Sequence, residues 1–357
     1  MRELIEAWSG EAVVVRRDAP TGAWCFIALH DSTLGMPVGG CRMKTYDSPE
    51  DGLRDAMRLA EGMTYKWAAL DFPFGGGKAV LAVPGSLPDE HRSGLLQRFA
   101  RFVDSLGGAF ATGVDLGTTP EDMRRMARDC RFIMGQAAPG EADDSVDPGP
   151  YTALGVLTGM QVALRHRVGR DGLQGVRVAI QGVGDVGAPL AQMLSRSGAC
   201  LIVADVDDER ARALEGELGA EAVSADDVYD VECDVFAPCA VGAILNEETI
   251  PRLRCRVVAG SANNQLDNDA DAERLHDRGV LYAPDDIIHA GGALAFGLIH
   301  QRVRSKAVLE DRVRRIGDTL DQILSEAGSS GESPWHAARQ VAERVLAKGR
   351  SAASLRP

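Results

Sequence analysis

The pattern of apolar and polar residues changes character along the chain and predicts two parts with different folds. Over residues 11–46, short apolar runs separated by turn residues are typical of β-strands. A helix is expected after them, because Ser48 is a good N-cap, Pro49 suits the first helical position and apolar residues follow at helical spacing. The elements predicted here are strands at 12–15 and 24–30 and helices over 49–67, about 88–106 and about 120–130.

The second part has the rhythm of a parallel α/β sheet. Between residues 176 and 290, short apolar runs alternate with helical patterns, which is typical of repeated β-α-β units. A helix is predicted over 151–166, and the chain from about 292 to 349 is expected to be helical, with a loop at 328–334. The predicted strands cover 176–180, 201–204, 235–237, 257–259 and 280–282.

A glycine motif follows the first strand of this second part. Residues 181–187 read Gln-Gly-Val-Gly-Asp-Val-Gly, the GxGxxG pattern, between a predicted strand and a predicted helix. In a Rossmann fold these glycines allow a tight turn, the approach of a pyrophosphate, and close packing of helix and strand. The next strand ends in Asp205, which we expect to bind the adenosine ribose, and Asp207 and Asp208 beside it favour NAD over NADP.

These patterns predict an α/β protein of two domains, an N-terminal α/β domain and a Rossmann dinucleotide-binding domain, with a helical C-terminal tail. A stretch rich in proline, glycine and acidic residues at about 137–150 is interpreted as an interdomain hinge or a mobile loop. The predicted boundaries are 1–140, 150–295 and 296–357.

Composition excludes several classes of protein. The chain has 357 residues, 45% of them hydrophobic and 25% charged, which is enough for two domains with cores. A formal net charge of −13 argues against nucleic acid or an anionic membrane as the main partner. Seven cysteines without CxxC spacing and histidines without metal spacing predict a reduced cytoplasmic protein with no metal site. No apolar run is long enough for a membrane helix.

The choice of basic residues indicates candidate catalytic groups. Only five of the 39 lysines and arginines are lysines, and two of them, Lys66 and Lys78, lie on either side of the glycine run 75–77. A buried lysine can give up its proton, whereas an arginine cannot, so Lys78 is a candidate base and Lys66 a candidate anion ligand. Asp115, in an uncharged stretch rich in glycine and threonine, is a third candidate. The alternatives are two surface lysines beside a turn, and an aspartate that closes a turn or caps a helix.

A series of ordered stretches makes the chain similar to one known family. These stretches are 39–43, 63–66, 75–78, 115–118, 152–156, 181–187, 236–240, 259–265 and 290–292. On them the chain resembles the Glu/Leu/Phe/Val dehydrogenase family of L-amino acid dehydrogenases along nearly its whole length, and the leucine/phenylalanine/valine branch more than the glutamate branch.

The resemblance implies an activity, the NAD-dependent and reversible oxidative deamination of a hydrophobic L-amino acid to the 2-oxo acid and ammonia. It implies that Lys78 activates water and that Asp115 carries protons to and from the amino group. It further implies that Lys66 binds the substrate carboxylate. Additional substrate contacts are implied for Gly39, Gly40 and Asn264.

The resemblance also implies the cofactor contacts and the assembly. The residues expected to hold NAD are Thr152, Gly182, Gly184, Asp185, Val186, Gly187, Asp205, Cys239, Ala240 and Asn263. The first domain is expected to carry the substrate and to form subunit contacts in a homo-oligomer. The segment 296–357 is expected to pack back on this first domain.

The expected side-chain pocket has no charged residue, which disfavours glutamate as the substrate. We expect leucine, valine or phenylalanine, and the alternatives are another amino acid such as tryptophan or a non-catalytic NAD-binding regulatory relative. The family usually has an asparagine where this chain has His289, which we interpret as a structural replacement, and Trp67 is larger than expected after Lys66. The pocket positions are Val38, Gly113, Ala293 and Phe296.

Overall fold

Two separate sheets organise the chain. The computed structural model describes residues 1–135 and 147–354, with side chains up to 351, and the contacts among them define two units. The first unit contains the N-terminal part together with residues 296–302 and 342–354. The second unit contains residues 147–295 and 303–341.

A mixed sheet forms the centre of the first unit. Its five strands within the described residues are β1 (Ala12–Asp18), β2 (Ala23–Asp31), β3 (Pro37–Lys44), β4 (Gly75–Ala82) and β5 (Ala111–Val114). Their spatial order is β1-β2-β4-β3-β5. β2 is antiparallel to β1 and β4, whereas β3 is parallel to β4 and β5. Every residue of β4 is buried, so this strand lies at the heart of the unit.

Helices cover both faces of this sheet. They are α1 (Arg2–Ala7), α2 (Pro49–Ala69), α3 (Asp89–Ser105) and α4 (Pro120–Met126). The predicted start of α2 is confirmed, since the Ser48 hydroxyl accepts a hydrogen bond from the Asp51 amide at 3.2 Å. α2 packs through Leu53 and its neighbours on one face, and α3 packs through Phe99 in a second cluster on the other. α4 ends earlier than predicted, because the amides of Arg128 and Asp129 bond to carbonyls three residues back.

The sequence pattern did not predict β4 or β5, and within the strand region 11–46 it gave no bounds for β3. The glycine run before Lys78 indicated a turn, but residues 75–82 form β4 and are wholly buried. A strand buried on both faces has no alternation of apolar and polar residues to reveal it. β3 and β5 also contain glycines, which weakened their strand pattern.

Glycine permits a very close approach of β3, β4 and α2. A Cβ atom on Gly39 would overlap the carbonyl oxygen of Gly77, and one on Gly76 would overlap the side chain of Thr64. It would also lie 2.5 Å from the carbonyl oxygen of Ala60 in α2. The central strand therefore touches its neighbours through backbone atoms at these positions.

The second unit contains the predicted parallel sheet. Its six strands in the described part of the chain are β6 (Arg177–Gln181), β7 (Cys200–Ala204), β8 (Glu221–Ala222), β9 (Val235–Pro238), β10 (Val257–Val258) and β11 (Leu281–Tyr282). All paired strands are parallel, in the order β11-β10-β9-β6-β7-β8. The two-residue strand β8 was not predicted. The two-domain α/β fold with a Rossmann-like sheet is confirmed.

The helices after α4 divide between the units. They are α5 (Pro148–Val168), α6 (Gly187–Arg196), α7 (Asp208–Leu218), α8 (Ala270–Asp277), α9 (Asp285–Ile288), α10 (Gly291–His300), α11 (Lys306–Arg314), α12 (Ile316–Ser330) and α13 (Pro334–Ser354). The expectation that 296–357 packs as a whole on the first unit needs correction, because 303–341 belongs to the second. α5 is buried on most sides, and α11 and α12 supply the apolar cover it requires.

Part of the predicted hinge lies outside the described residues, which resume at Asp147. The Asp147 side chain accepts a hydrogen bond from the Gly149 amide at 2.9 Å, so α5 begins three residues before the predicted Tyr151. Among the helices described, none combines the length and apolar character that a membrane crossing requires.

We predict that Gly76→Ala lowers the stability of the first unit. The added methyl group has to displace Thr64 or the α2 backbone, and such overpacking costs about 1–3 kcal/mol. Thermal unfolding measures the effect, with Gly85→Ala as the control, since a Cβ atom at Gly85 meets nothing within 4 Å. Equal midpoints for the two variants would contradict the close approach.

Candidate active site

The two candidate catalytic side chains meet in the first unit. Lys78 lies in β4 and is only 4% exposed, and Asp115 directly follows β5. The Nζ atom of Lys78 lies 2.5 Å from Oδ2 of Asp115. The two side chains meet across β3, where Gly40 leaves room, because a Cβ atom there would lie 2.7 Å from Cβ of Asp115.

The backbone of Asp115 is fixed by Thr118. The Asp115 amide donates a hydrogen bond to Oγ1 of Thr118 at 3.0 Å, and this hydroxyl lies 2.9 Å from the Cys41 carbonyl oxygen, to which it donates. Asp115 does not cap α4, since Thr119 occupies that position in a capping box. The carboxylate is therefore available for the two cations that surround it.

Arg42 is the second cation at this carboxylate. Its Nε atom donates to Oδ1 of Asp115 at 2.9 Å, while Lys78 donates to Oδ2. Burial alone would raise the pKa of Asp115. The positive charges of Lys78 and then Arg42, with a hydrogen bond from each, outweigh burial and hold this pKa far below its ordinary value. Asp115 is therefore ionised in the folded protein at neutral pH.

Lys66 lies in the last turn of α2 and is 7% exposed. The next residue, Trp67, is a core residue, which explains its size. Its indole nitrogen donates to the Val38 carbonyl oxygen at 3.1 Å, and its ring packs against Phe72 and Phe74. This packing anchors the end of α2 against β3 and so fixes the backbone from which Lys66 projects.

Three of the four expected pocket residues lie in the first unit. Val38 is buried in β3, and Gly113 of β5 is paired with Gly40 of β3. A Cβ atom on Gly113 would meet Cβ of Met134 at 3.5 Å and the ring of Phe296 at 3.7 Å. The space above Gly113 is therefore bounded by apolar groups. Ala293, the fourth residue, lies in α10 within the second unit.

The glycine motif forms the turn between β6 and α6. Gly182 has a φ of +93°, and a Cβ atom there would lie 2.6 Å from Cβ of Ala240. A Cβ atom on Gly187 would overlap the carbonyl oxygen of Gly182. At Gly184 the nearest atom to such a Cβ is 3.9 Å away, in Arg210. The fold thus needs the first and third glycines, whereas the second faces open space.

Asp205 lies at the end of β7 and its carboxylate touches the glycine loop. Oδ2 accepts a hydrogen bond from the Val183 amide at 2.8 Å, and Oδ1 accepts one from the Asp207 amide at 3.0 Å. Asp185 and Val186 complete the loop, and Val186 precedes α6 without a side-chain cap. A carboxylate beside a helix N-terminus at the end of a parallel sheet is the arrangement of a dinucleotide site.

The remaining predicted cofactor residues lie near the ends of other elements of the second unit. Cys239 follows β9, and its amide donates to the Gln181 carbonyl oxygen at 2.7 Å, which brings it and Ala240 to the glycine loop. Thr152 lies in α5, where its hydroxyl donates to the Pro148 carbonyl oxygen at 3.0 Å. A Cβ atom on Gly292 would lie 2.6 Å from that hydroxyl.

Asn263 and Asn264 form a turn that α9 holds. The Asn264 amide donates to Oδ2 of Asp285 at 2.7 Å, and the Tyr282 hydroxyl donates to Oδ1 at 2.6 Å. His289 is buried, with Nε2 at 2.7 Å from Oδ1 of Asn263 and Nδ1 against the Asp285 carbonyl oxygen. His289 thus makes side-chain hydrogen bonds to this turn.

Models of one protein family match most of the chain. Residues 13–132 match the dimerisation domain of Glu/Leu/Phe/Val dehydrogenase, and residues 203–343 match the Glutamate/Leucine/Phenylalanine/Valine dehydrogenase domain. The chain belongs to the Glu/Leu/Phe/Val dehydrogenase family. It is therefore an amino acid dehydrogenase by family, as the ordered sequence stretches predicted.

Curated relatives of this family are similar over nearly their whole length. Leucine dehydrogenase from Bacillus cereus is 39% identical over 97% of this chain and 93% of its own. Phenylalanine dehydrogenase from Caldalkalibacillus thermarum is 41% identical over 95% and 91%. The solved structure of L-tryptophan dehydrogenase from Nostoc punctiforme has a TM-score of 0.80 at 35% identity, covering 98% of this chain and all of that one.

No group of three or more potential metal ligands occurs in the described part of this family member. All seven cysteines fall within the described ranges and are free thiols. Burial raises the pKa of the Cys41 thiol, which lies beside the Asp115 loop, well above its ordinary value. This thiol is therefore neutral at the pH of the cell.

Several side chains at the site were not predicted individually. Arg42 belongs to a stretch that matches the family, but neither its spacing nor its type indicated a partner. Asp55, Met134 and Asp285 carried no sequence signal, because each meets its site through a contact 13 to 21 residues away, which no periodicity indicates.

We predict that Asp115→Asn lowers the free energy of unfolding by about 3 kcal/mol at pH 7, because Lys78 and Arg42 then lie buried without this carboxylate. The pKa of Asp115 is lower in the folded chain than in the unfolded one. Its stabilisation is therefore fully present above about pH 4 and is lost as the pH falls through the folded value.

Urea unfolding at pH 7 and pH 3 measures this difference. The free energy of unfolding of the wild-type protein should exceed that of Asp115→Asn by less at pH 3 than at pH 7. Asp208→Asn is the control, because this side chain is 72% exposed. A difference that grows at the lower pH would contradict the assignment.

Proposed function

We propose that the protein catalyses the NAD-dependent, reversible oxidative deamination of a hydrophobic L-amino acid to the 2-oxo acid and ammonia. The observation that carries this proposal is the buried contact of 2.5 Å between Lys78 and Asp115. Relatives at about 40% identity are named leucine, phenylalanine and tryptophan dehydrogenases, which gives the reaction class. A degenerate binding protein has no need to keep a buried ion pair of this kind.

The residues of the first unit supply substrate binding and proton transfer in this proposal. Lys66 binds the substrate carboxylate as a point charge, with Gly39, Gly40 and Asn264 as further contacts. Asp115, which is ionised, first takes a proton from the substrate ammonium group, and the Cα atom then loses its hydride. Lys78 takes a proton from the water that attacks the resulting iminium carbon. Asp115 returns its proton to the amino group, which leaves as ammonia, while the hydroxyl of the tetrahedral intermediate loses its proton to solvent and becomes the 2-oxo group. The nicotinamide of NAD accepts the hydride when it is bound.

Two features of the second unit support NAD binding. Gly184 leaves open space at the glycine loop, and Asp205 stands at the end of the neighbouring strand. Asp207 and Asp208 would repel the 2′-phosphate of NADP, and the nearby Arg210 lies 3.3 Å from Asp207, with which it pairs. We therefore propose NAD, with Thr152, Cys239, Ala240 and Asn263 as further contacts.

Uncharged residues at the expected pocket positions support a hydrophobic substrate. Val38, Gly113, Ala293 and Phe296 carry no group that would bind a second carboxylate, and within the first unit Met134 adds an apolar side chain beside Gly113. We propose leucine, valine or phenylalanine as substrates. Tryptophan is the second candidate, because the tryptophan dehydrogenase of Nostoc punctiforme is 40% identical over 319 residues and positions 113 and 293 carry small residues.

We also propose that the protein is a cytoplasmic homo-oligomer. The match of residues 13–132 to a domain described as a dimerisation domain supports self-association. The free thiols are compatible with a reducing compartment.

We predict that the wild-type protein reduces NAD with L-leucine, L-valine, L-phenylalanine or L-tryptophan but not with L-glutamate. Lys78→Ala should lower kcat by about 10²- to 10⁴-fold, because the acid/base group is lost. The absorbance of NADH measures the rate, and Lys348→Ala, at an exposed lysine, is the matched control. Full activity of Lys78→Ala would refute the proposed role.

We predict that Gly184→Ala weakens NAD binding about tenfold, a loss of about 1.4 kcal/mol, without changing the unfolding midpoint. The added methyl group meets nothing closer than 3.9 Å in the protein but would obstruct a pyrophosphate. Calorimetric titration with NAD tests this, with Gly216→Ala as the control in α7, where a Cβ atom has no neighbour within 4 Å. An unchanged Kd for NAD would place the pyrophosphate elsewhere.

A further inference from the structure

Arg42 bridges two carboxylates that belong to different elements. Its Nε atom donates to Oδ1 of Asp115 at 2.9 Å, and its Nη1 atom donates to Oδ2 of Asp55 at 3.0 Å. The Arg42 and Asp55 side chains are each 12% exposed. A guanidinium group has the rigid fork of donors that such a bridge requires, whereas an ammonium group does not.

Asp55, in α2, has further partners besides Arg42. Its Oδ2 atom also accepts a hydrogen bond from the Tyr46 hydroxyl at 2.7 Å. Arg58, one turn further along α2, lies 3.4 Å from Oδ1 and is half exposed. A row of alternating charge thus runs from the buried strand β4 to the Tyr46 hydroxyl. Its members are Lys78, Asp115, Arg42 and Asp55.

The two cations at Asp115 differ in one chemical property. In the proposed reaction Lys78 exchanges protons, so its charge varies during turnover. The Arg42 guanidinium keeps its proton throughout. Burial alone would lower its pKa, but the charges of Asp115 and Asp55 outweigh burial and raise this pKa further. Arg42 is therefore the charge at Asp115 that stays constant when Lys78 is neutral.

We propose that Arg42 is the positioning residue of Asp115. It fixes Oδ1 so that Oδ2 faces Lys78, and it maintains a positive charge at this carboxylate at every stage of the reaction. Asp55 and Tyr46 hold Arg42 in this position. The inference rests on the proposed dehydrogenase activity and assigns functions in it to three residues outside the predicted site.

The groups that face Asp115 determine its response to pH. Lys78 approaches from β4 and Arg42 from β3, with Asp55 behind Arg42 on α2. The neighbouring Cys41 is a neutral thiol, because burial raises its pKa. Loss of Arg42 removes one of two cations from a buried carboxylate, so the pKa of Asp115 should rise.

Kinetics of Arg42→Gln test the proposal. We expect kcat to fall about 100-fold, the effect of a slightly misplaced catalytic group, while KM for the amino acid stays within about threefold. The acidic limb of the kcat/KM profile should move to higher pH. Arg42→Lys should restore the position of this limb but not kcat, because an ammonium group cannot bridge both carboxylates.

Two further variants separate positioning from a general loss of structure. Asp55→Asn should cause a smaller fall in kcat in the same direction, because it loosens Arg42 without touching Asp115. Arg54→Gln removes an arginine from the same helix that is 60% exposed and pairs with Asp51, and it should leave kcat unchanged. Thermal unfolding of each variant verifies that it is folded.

A measurement independent of turnover distinguishes this inference from the proposed function. The protein is labelled with ¹³C at aspartate carboxyl groups, and the Asp115 signal is assigned by its absence in Asp115→Asn. Its titration should move to higher pH in Arg42→Gln. If the wild-type protein converts none of L-leucine, L-valine, L-phenylalanine and L-tryptophan, the proposed function fails and the titration still decides the role of Arg42. If kcat, the acidic limb and the titration of Asp115 are all unchanged in Arg42→Gln, the positioning role of Arg42 is overturned.

Discussion

The close backbone approach of β3, β4 and α2 is the constraint on which the candidate site depends. Gly39 faces the carbonyl of Gly77, and Gly76 faces Ala60 and Thr64 in the C-terminal turns of α2 that lead to Lys66. A side chain at either glycine would push β4 away from its neighbours. Because Lys78 directly follows this run, the same displacement would separate its ammonium group from Asp115.

The buried charged groups of the site stabilise one another by pairing with groups of opposite charge. Two cations, Lys78 and Arg42, alternate with two carboxylates, Asp115 and Asp55, and each carboxylate accepts hydrogen bonds on defined oxygens. A buried ion pair is weak evidence for stability, since the loss of hydration offsets most of the attraction. A row of four such groups is therefore better explained by chemistry than by folding, and this supports the proposed proton transfer.

The sequence reveals elements whose signals are local and misses those that depend on contacts between elements. The start of α2 is visible because Ser48 and Pro49 adjoin it, and β6 to α6 is visible because strand, glycines and helix are consecutive. β4 is hidden, since a glycine run in a wholly buried strand resembles a turn. The bridge from Arg42 to Asp55 spans 13 residues and two elements, so no periodicity indicates it.

The use of lysine and arginine in this chain agrees with the chemistry of the site. The chain has five lysines among its 39 lysines and arginines, yet a lysine and an arginine contact the two oxygens of the same carboxylate. If only fixed positive charge were needed at Asp115, arginine would serve on both sides, as it does almost everywhere else in the sequence. Of the two cations, Lys78 is the one that carries a proton that can leave. Arg42 provides the positive charge that remains at Asp115 after this proton has left. The two cations at Asp115 are therefore not interchangeable, and the sequence bias toward arginine is what makes the exception at Lys78 informative.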